Sequence, residues 1–249
     1  YAPATEGTTN LVDYGGFALS TSYDVSITAK VQETLTFCAS GPISPSVLLN
    51  PLDGNNTGSG GGSNCTAATN PAITIGHGTP QILSNSAIDG TSAYTQASTN
   101  ATNGLAIRMH ATNACANGGL STDGGTTCAI TGVGGTSAAV QAAGTTFFGL
   151  FVAPSATTTG VATSTGTITP DSNYNPGGVT ALASVTANPY GMDNTANSGV
   201  TSTYGDLIAA SSGAISQVNN ELVFAATAGL TVPAGIYTGS ESLIATGTF

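Results

Sequence analysis

The run Asp171-Ser172-Asn173-Tyr174-Asn175-Pro176-Gly177 sets three oxygen-bearing side chains, Asp171, Asn173 and Asn175, at alternate positions. That is the spacing at which a short loop offers hard ligands to calcium. Pro176 stands where such a loop needs glycine, and no glutamate follows at the distance that would close the cage. The same residues make an ordinary turn, and Asp53-Gly54-Asn55-Asn56 is a second near match of the same kind. Calcium at these loops is the one cofactor the sequence suggests.

Other chemistry is sparse. His77 sits in Gly-His-Gly and His110 closes GLAIRMH, each isolated from a nucleophile, and no Gly-x-Ser-x-Gly elbow occurs. Any two of the twelve carboxylates could flank a glycosidic bond. A sugar-cleaving cleft usually brings aromatic platforms, however, and the chain has no Trp. The expectation is that this is not an enzyme. Asn55, Asn64 and Asn100 each begin an Asn-x-Ser/Thr sequon and are candidate glycan acceptors, as are the hydroxyls of TTTGVATSTGT. A lone lysine buried beside Asn and Asp can form an intramolecular isopeptide bond, and Lys30 is the lone lysine, but its parity in the surrounding pattern points it to solvent.

The four cysteines allow three disulfide connectivities. Pairing of neighbours, Cys38 with Cys65 and Cys115 with Cys128, is favoured because each pair brackets a Gly/Asn-rich loop, GSGGGSN in one and ANGGLSTDGG in the other. Zinc is the competing use, but no Cys-x-x-Cys spacing is present. Disulfides imply an oxidising compartment, hence a secreted or cell-surface protein. The chain opens at Tyr1 with no initiator Met, which fits a processed mature product. The longest apolar run, Phe147–Ala153, is far too short to span a bilayer as a helix.

Composition narrows the partners. Only 6% of residues are charged, against about 25% in a typical domain. Lys30 and Arg108 are the only basic side chains in a chain of net charge −10, so nothing can neutralise a run of phosphates. The expectation is therefore no nucleic-acid partner, and the same argument disfavours anionic membrane surfaces. An apolar fraction of 40% opposes disorder despite 34 glycines, and the surface must be covered by hydroxyls and amides.

The positioning elements are strands. Asp24–Phe37, DVSITAKVQETLTF, holds Val25, Ile27, Ala29, Val31, Leu35 and Phe37 on one parity, with Glu33 the lone interruption. Period two over such a length predicts a half-buried antiparallel strand. Further strands are predicted at Ala72–Ile75, Gly104–His110, Thr145–Val152, Gly178–Val185, Gly205–Ile208, Glu221–Ala226 and Ile236–Phe249. Thr201–Ala210 and Ser137–Ala143 could each make a helical turn or two. Turn punctuators such as LDGNNTG and PDSNYNPGG lie between. The expected fold is all-β: an antiparallel β-sandwich or jelly roll with long Gly/Ser/Thr/Asn-rich loops.

Residues 1–20 differ in pattern from the rest of the chain and are expected to form an N-terminal arm ahead of a single domain spanning 21–249. The arm carries Leu11, Val12, Tyr14, Phe17 and Leu19, broken by Gly15-Gly16. It is either an ordinary first strand on its own domain or a strand donated to a neighbour.

The ending Pro233-Ala234-Gly235-Ile236-Tyr237 through Leu243 to Phe249 resembles the last strand of secreted β-sandwich fibre subunits, the spore-coat-U-like and archaic chaperone–usher pilins. Ser98–Met109, STNATNGLAIRM, is similar to their mid-chain strand entry. TasA-like matrix fibres and archaeal strand-exchange pili share the same logic. The resemblance implies an extracellular filament (pilus, fibre or sheath) built of identical subunits. Each would donate a β-strand, here Leu11–Leu19, to the incomplete sandwich of the next. The rival expectations are a monomeric surface adhesin or carbohydrate-binding module, and an S-layer or capsid-type coat protein.

Overall fold

The computed structural model describes residues 26–42, 52, 65, 68, 71–112, 115–134, 138–154, 165–176, 185–192 and 203–249. The chain divides into two units, Tyr1–Gln32 and Glu33–Phe249. In the first, residues 26–32 belong to no helix or strand and are exposed, Ile27 and Val31 at 87% and 85%. Among the described residues of the second, ten strands account for nearly all the regular structure: β1 (Leu35–Ser40), β2 (Asp89–Thr99), β3 (Leu105–Ala111), β4 (Ala139–Val140), β5 (Phe147–Ala153), β6 (Thr169–Pro170), β7 (Pro189–Tyr190), β8 (Asp206–Ala210), β9 (Ile215–Thr227) and β10 (Glu241–Gly247).

They form two four-stranded antiparallel sheets, ordered β1-β2-β9-β5 and β10-β3-β8-β6, with β4 and β7 paired as a short ribbon. One apolar core joins the sheets. Ala93, Ala97, Phe148, Leu150, Val152, Leu222 and Phe224 of the first pack with Leu105, Ile107, Met109 and Ile208 of the second. Each large side chain among them, fully buried, contributes about 1.5–3 kcal/mol. This is an antiparallel β-sandwich, the fold class the strand pattern predicts.

The strands β2, β9 and β5 of the first sheet are largely buried on both faces. Phe147, Phe151, Ala153, Val223 and Ala225 form a second cluster on its far side with Ile88 and Tyr190. That explains the uninterrupted run FFGLFVA, every residue of which is buried. A strand covered on both faces has no reason to alternate. Gly149 permits the cover: a Cβ there would stand 2.7 Å from the Cβ of Tyr190. At the turn into β3, Gly104 adopts φ +80°, and any Cβ would collide with the Ser211 carbonyl.

The strands expected near 104–110, 145–152, 205–208 and 221–226 appear as β3, β5, β8 and β9, each shifted or lengthened at its ends. The expected Ile236–Phe249 strand shortens to β10. Four expectations differ. The Asp24–Phe37 ladder starts only at Leu35, because its partner β2 ends opposite, at Thr99. Ala72–Ile75 joins no ladder, although Ile73 and Ile75 pack against the core. Residues 178–184 lie outside the described ones, and Val185 opens a short 3-10 turn, Val185–Ala187. Asp206–Ala210 and Ala139–Val140 are strands, not helical turns. The long central strand β2 matches no expected strand.

On the first sheet's far face, Ser92 Oγ donates to Glu221 Oε1 at 2.5 Å, beside Tyr94. Burial and then the Glu221 charge push the Tyr94 phenol up to about 12, against an opposing hydrogen bond from Ser92. Burial pushes Tyr190 up to about 12 as well. Both phenols hold their protons more tightly folded than unfolded. The stability this supplies is fully present below pH 10 and lost as pH rises towards 12. Melting temperature should therefore be insensitive to these groups up to about pH 10, then fall towards pH 12. A Tyr94→Phe variant should show a shallower fall, measured by calorimetry across that range.

Candidate docking groove

Few of the sequence-picked residues converge. Leu11, Val12, Tyr14, Phe17, Leu19, Asn55 and Asn64 lie outside the described residues. Asn100 is half-buried, and its carboxamide oxygen accepts from Thr34 N–H at 2.8 Å, pinning the start of β1. Lys30 is exposed.

The calcium-like loop is a turn. Asp171 Oδ1 accepts from the Asn173 N–H at 2.9 Å, and the Asp171 carbonyl accepts from Tyr174 and Asn175. Asn175 turns inward instead, donating from Nδ2 to the Val152 carbonyl at 3.0 Å. Asp171 and Asn175 thus spend their polarity on the fold, with the Asn173 backbone as one of the partners. Among the described residues no three His, Cys, Asp or Glu side chains gather as a metal site. His77 is less isolated than its sequence neighbours suggest. A bridge to Ile82 bends its loop back, leaving Nδ1 3.6 Å from Asp89 Oδ1. His110 is half-buried at the end of β3.

Cys38 is bonded to Cys65, and Cys115 to Cys128. Both bridges bear on a groove of about 1310 Å³ in the second unit. One wall is the edge strand β1, through Phe37, Cys38 and Ala39. The other is the edge strand β10, through Glu241 and Leu243. Leu120, Ile130, Phe148 and Phe224, all buried, form the floor. Ile73, Ile75 and the segment Val232–Ser240 complete the rim, with Ile82 and Ile236 exposed on it.

The groove is held open by specific bonds. Tyr237 Oη donates to the Pro233 carbonyl at 2.8 Å, closing the rim turn. Thr238 and Ser121 exchange backbone hydrogen bonds of 2.8 and 3.0 Å, tying rim to floor. The Cys115–Cys128 bridge closes the segment carrying Leu120, and the Leu120–Ile130 backbone bridge sets those two floor residues side by side. Cys65 anchors the β1 wall.

Among the described residues, two edge strands flanking an apolar trough offer backbone donors and acceptors beside hydrophobic side chains. Nothing in the sequence marks these residues as one surface, since they come from widely separated segments.

No family model, curated protein or solved structure matches the chain. Among the described residues no helix is long and apolar enough to cross a membrane.

Proposed function

We propose that the chain is a structural subunit of an extracellular filament. In this reading each copy's groove receives an extended N-terminal strand from the next copy. The observation that carries it is the apolar groove between edge strands β1 and β10, set against an exposed N-terminal segment whose apolar residues alternate.

The energetics support the reading. Four or five apolar side chains entering the groove would contribute roughly 6–15 kcal/mol at about 1.5–3 kcal/mol each. Ladder hydrogen bonds to an edge strand add to that. Association costs on the order of 4–15 kcal/mol, so the depth of burial decides stability. Because the strand and the groove are different surfaces, the contact is head-to-tail and propagates into an open polymer. Two disulfides fit an oxidising, extracellular setting. Low charge density limits repulsion between stacked copies, although a net charge of −10 leaves some, and raised salt should ease assembly.

The test is the assembled state of the purified full-length chain, imaged by negative-stain microscopy and weighed by mass photometry at low and moderate salt. Thin filaments of uniform width are expected, together with a ladder of oligomer masses spaced by one subunit. A population of single copies at every salt and protein concentration would overturn the proposal.

A further inference from the structure

We infer that the strand filling the groove is Val25–Val31, and not the Leu11–Leu19 segment that the sequence alone first suggests. This rests on the filament reading and names its donor. The two candidates differ in geometry. A strand presents one face through residues of one parity. Leu11, Phe17 and Leu19 share a parity, whereas Val12 and Tyr14 fall on the other, and Gly15-Gly16 interrupts them. Val25, Ile27, Ala29 and Val31 all share one parity without a break.

Four further observations point the same way. Residues 26–34 join no helix and no strand, and Ile27 and Val31 are 87% and 85% exposed. A stripe rich in β-branched residues in that state lacks the burial its pattern calls for. The stripe has the parity of Phe37, which packs against the core on the groove's β1 wall. Val25–Val31 matches the seven residues of β10, the opposite wall. Its inward side chains carry no charge, so no carboxylate enters the trough, and the alternate parity carries Lys30 outward.

The geometry also fixes how closely copies succeed each other. Only Gln32–Thr34 lie between Val31 and β1. At about 3.3–3.6 Å per residue, the receiving groove must lie within roughly 15 Å of the donor's own Leu35. A Leu11–Leu19 donor would leave a long slack tether, and the polymer would be a loose string of domains.

The experiment uses the full-length chain with a photo-crosslinking p-benzoylphenylalanine in place of Ile27, or in a second preparation in place of Phe17. Equal amounts of isotopically heavy and light protein are mixed before assembly, and crosslinked peptides are mapped by mass spectrometry. Mixed heavy–light crosslinks from position 27 to β1, β10 or the Val232–Ser240 rim are expected, with few or none from position 17. In parallel, Ile27→Asp with Val31→Asp should cut polymer yield at least tenfold while leaving the single copy's melting temperature unchanged. Val12→Asp with Phe17→Asp should leave polymer yield intact. If the first pair polymerises like the parent, or crosslinks arise from position 17 instead, the donor assignment falls and the filament reading stands. Crosslinks from position 27 confined to its own chain also overturn the assignment. Absence of polymer from the unaltered chain would remove the filament reading itself.

Discussion

Reducing both disulfides is expected to lower the melting temperature of the chain by roughly 15–25 °C and to collapse the groove before the sandwich unfolds. The Cys38–Cys65 bridge spans a separation of 27 residues and Cys115–Cys128 one of 13. Loop-closure entropy assigns them about 3.5 and about 3 kcal/mol. For a chain of this length each kcal/mol moves the midpoint by about 2–4 °C. The order of events is set by where the bridges act. Cys38 is part of the β1 wall, and Cys115–Cys128 closes the segment bearing the floor residue Leu120. The central pairing of β2 with β9 and β5 with β9 depends on neither bridge. Calorimetry with and without reductant reads the stability loss, and polymer yield at ambient temperature reads the groove. Cys115→Ser with Cys128→Ser should cost about half of the total shift yet remove most assembly. An unchanged midpoint after complete reduction would show that the loops are already closed in the unfolded chain. Unchanged assembly would separate the groove from the bridges.

How legible each strand is in the sequence depends on how it is covered. Phe147–Ala153 and Glu221–Ala226 are apolar runs, and their burial is visible residue by residue. The β3 strand alternates cleanly between core and half-exposed positions, so period two finds it. The β2 strand, DGTSAYTQAST, reads as a hydroxyl-rich connection, yet it lies at the centre of the first sheet with nearly every side chain buried. Its polarity is offset by partners on another strand, as in Ser92 with Glu221 and Gln96 with Asn219, and hydropathy carries no record of such pairs. Residues 26–34 are the reverse case: the sequence alternates as a strand does, yet these residues join none, and among the described residues no partner strand lies opposite. The groove was illegible for a third reason. Phe37, Ile73, Leu120, Phe148, Val232 and Leu243 become neighbours only through the crossing of two sheets. The calcium-like loop was legible as a turn, and its sequence could not separate that role from ligation, because Asp171 and Asn175 have the same chemistry in both.

The buried polarity of β2 should prove strongly cooperative. Gln96 and Asn219 are 2% and 4% exposed. Gln96 Nε2 donates to Asn219 Oδ1 at 2.8 Å, and each carboxamide also donates to the carbonyl of Leu52 at 3.3 Å. Three groups from β2, β9 and the connection between β1 and β2 thus close one small network in a place that excludes water. Gln96→Leu takes a donor from Asn219 and one from Leu52 while burying an apolar group of similar size. The expected loss is about 2–4 kcal/mol, mostly the desolvation penalty of the acceptors left behind. Asn219→Leu should cost a similar amount, because it takes the acceptor from the Gln96 Nε2–H donor and a donor from the Leu52 carbonyl. Replacing both removes the mismatch between them, leaving chiefly the Leu52 carbonyl deprived of its side-chain donors. The double variant should therefore be more stable than the sum of the single losses predicts, with a coupling of about 0.5–3 kcal/mol. Urea denaturation of the four proteins closes the cycle. Losses that add within about 0.5 kcal/mol would mean that the two carboxamides act independently. The polar centre of β2 would then be held by its backbone ladder alone.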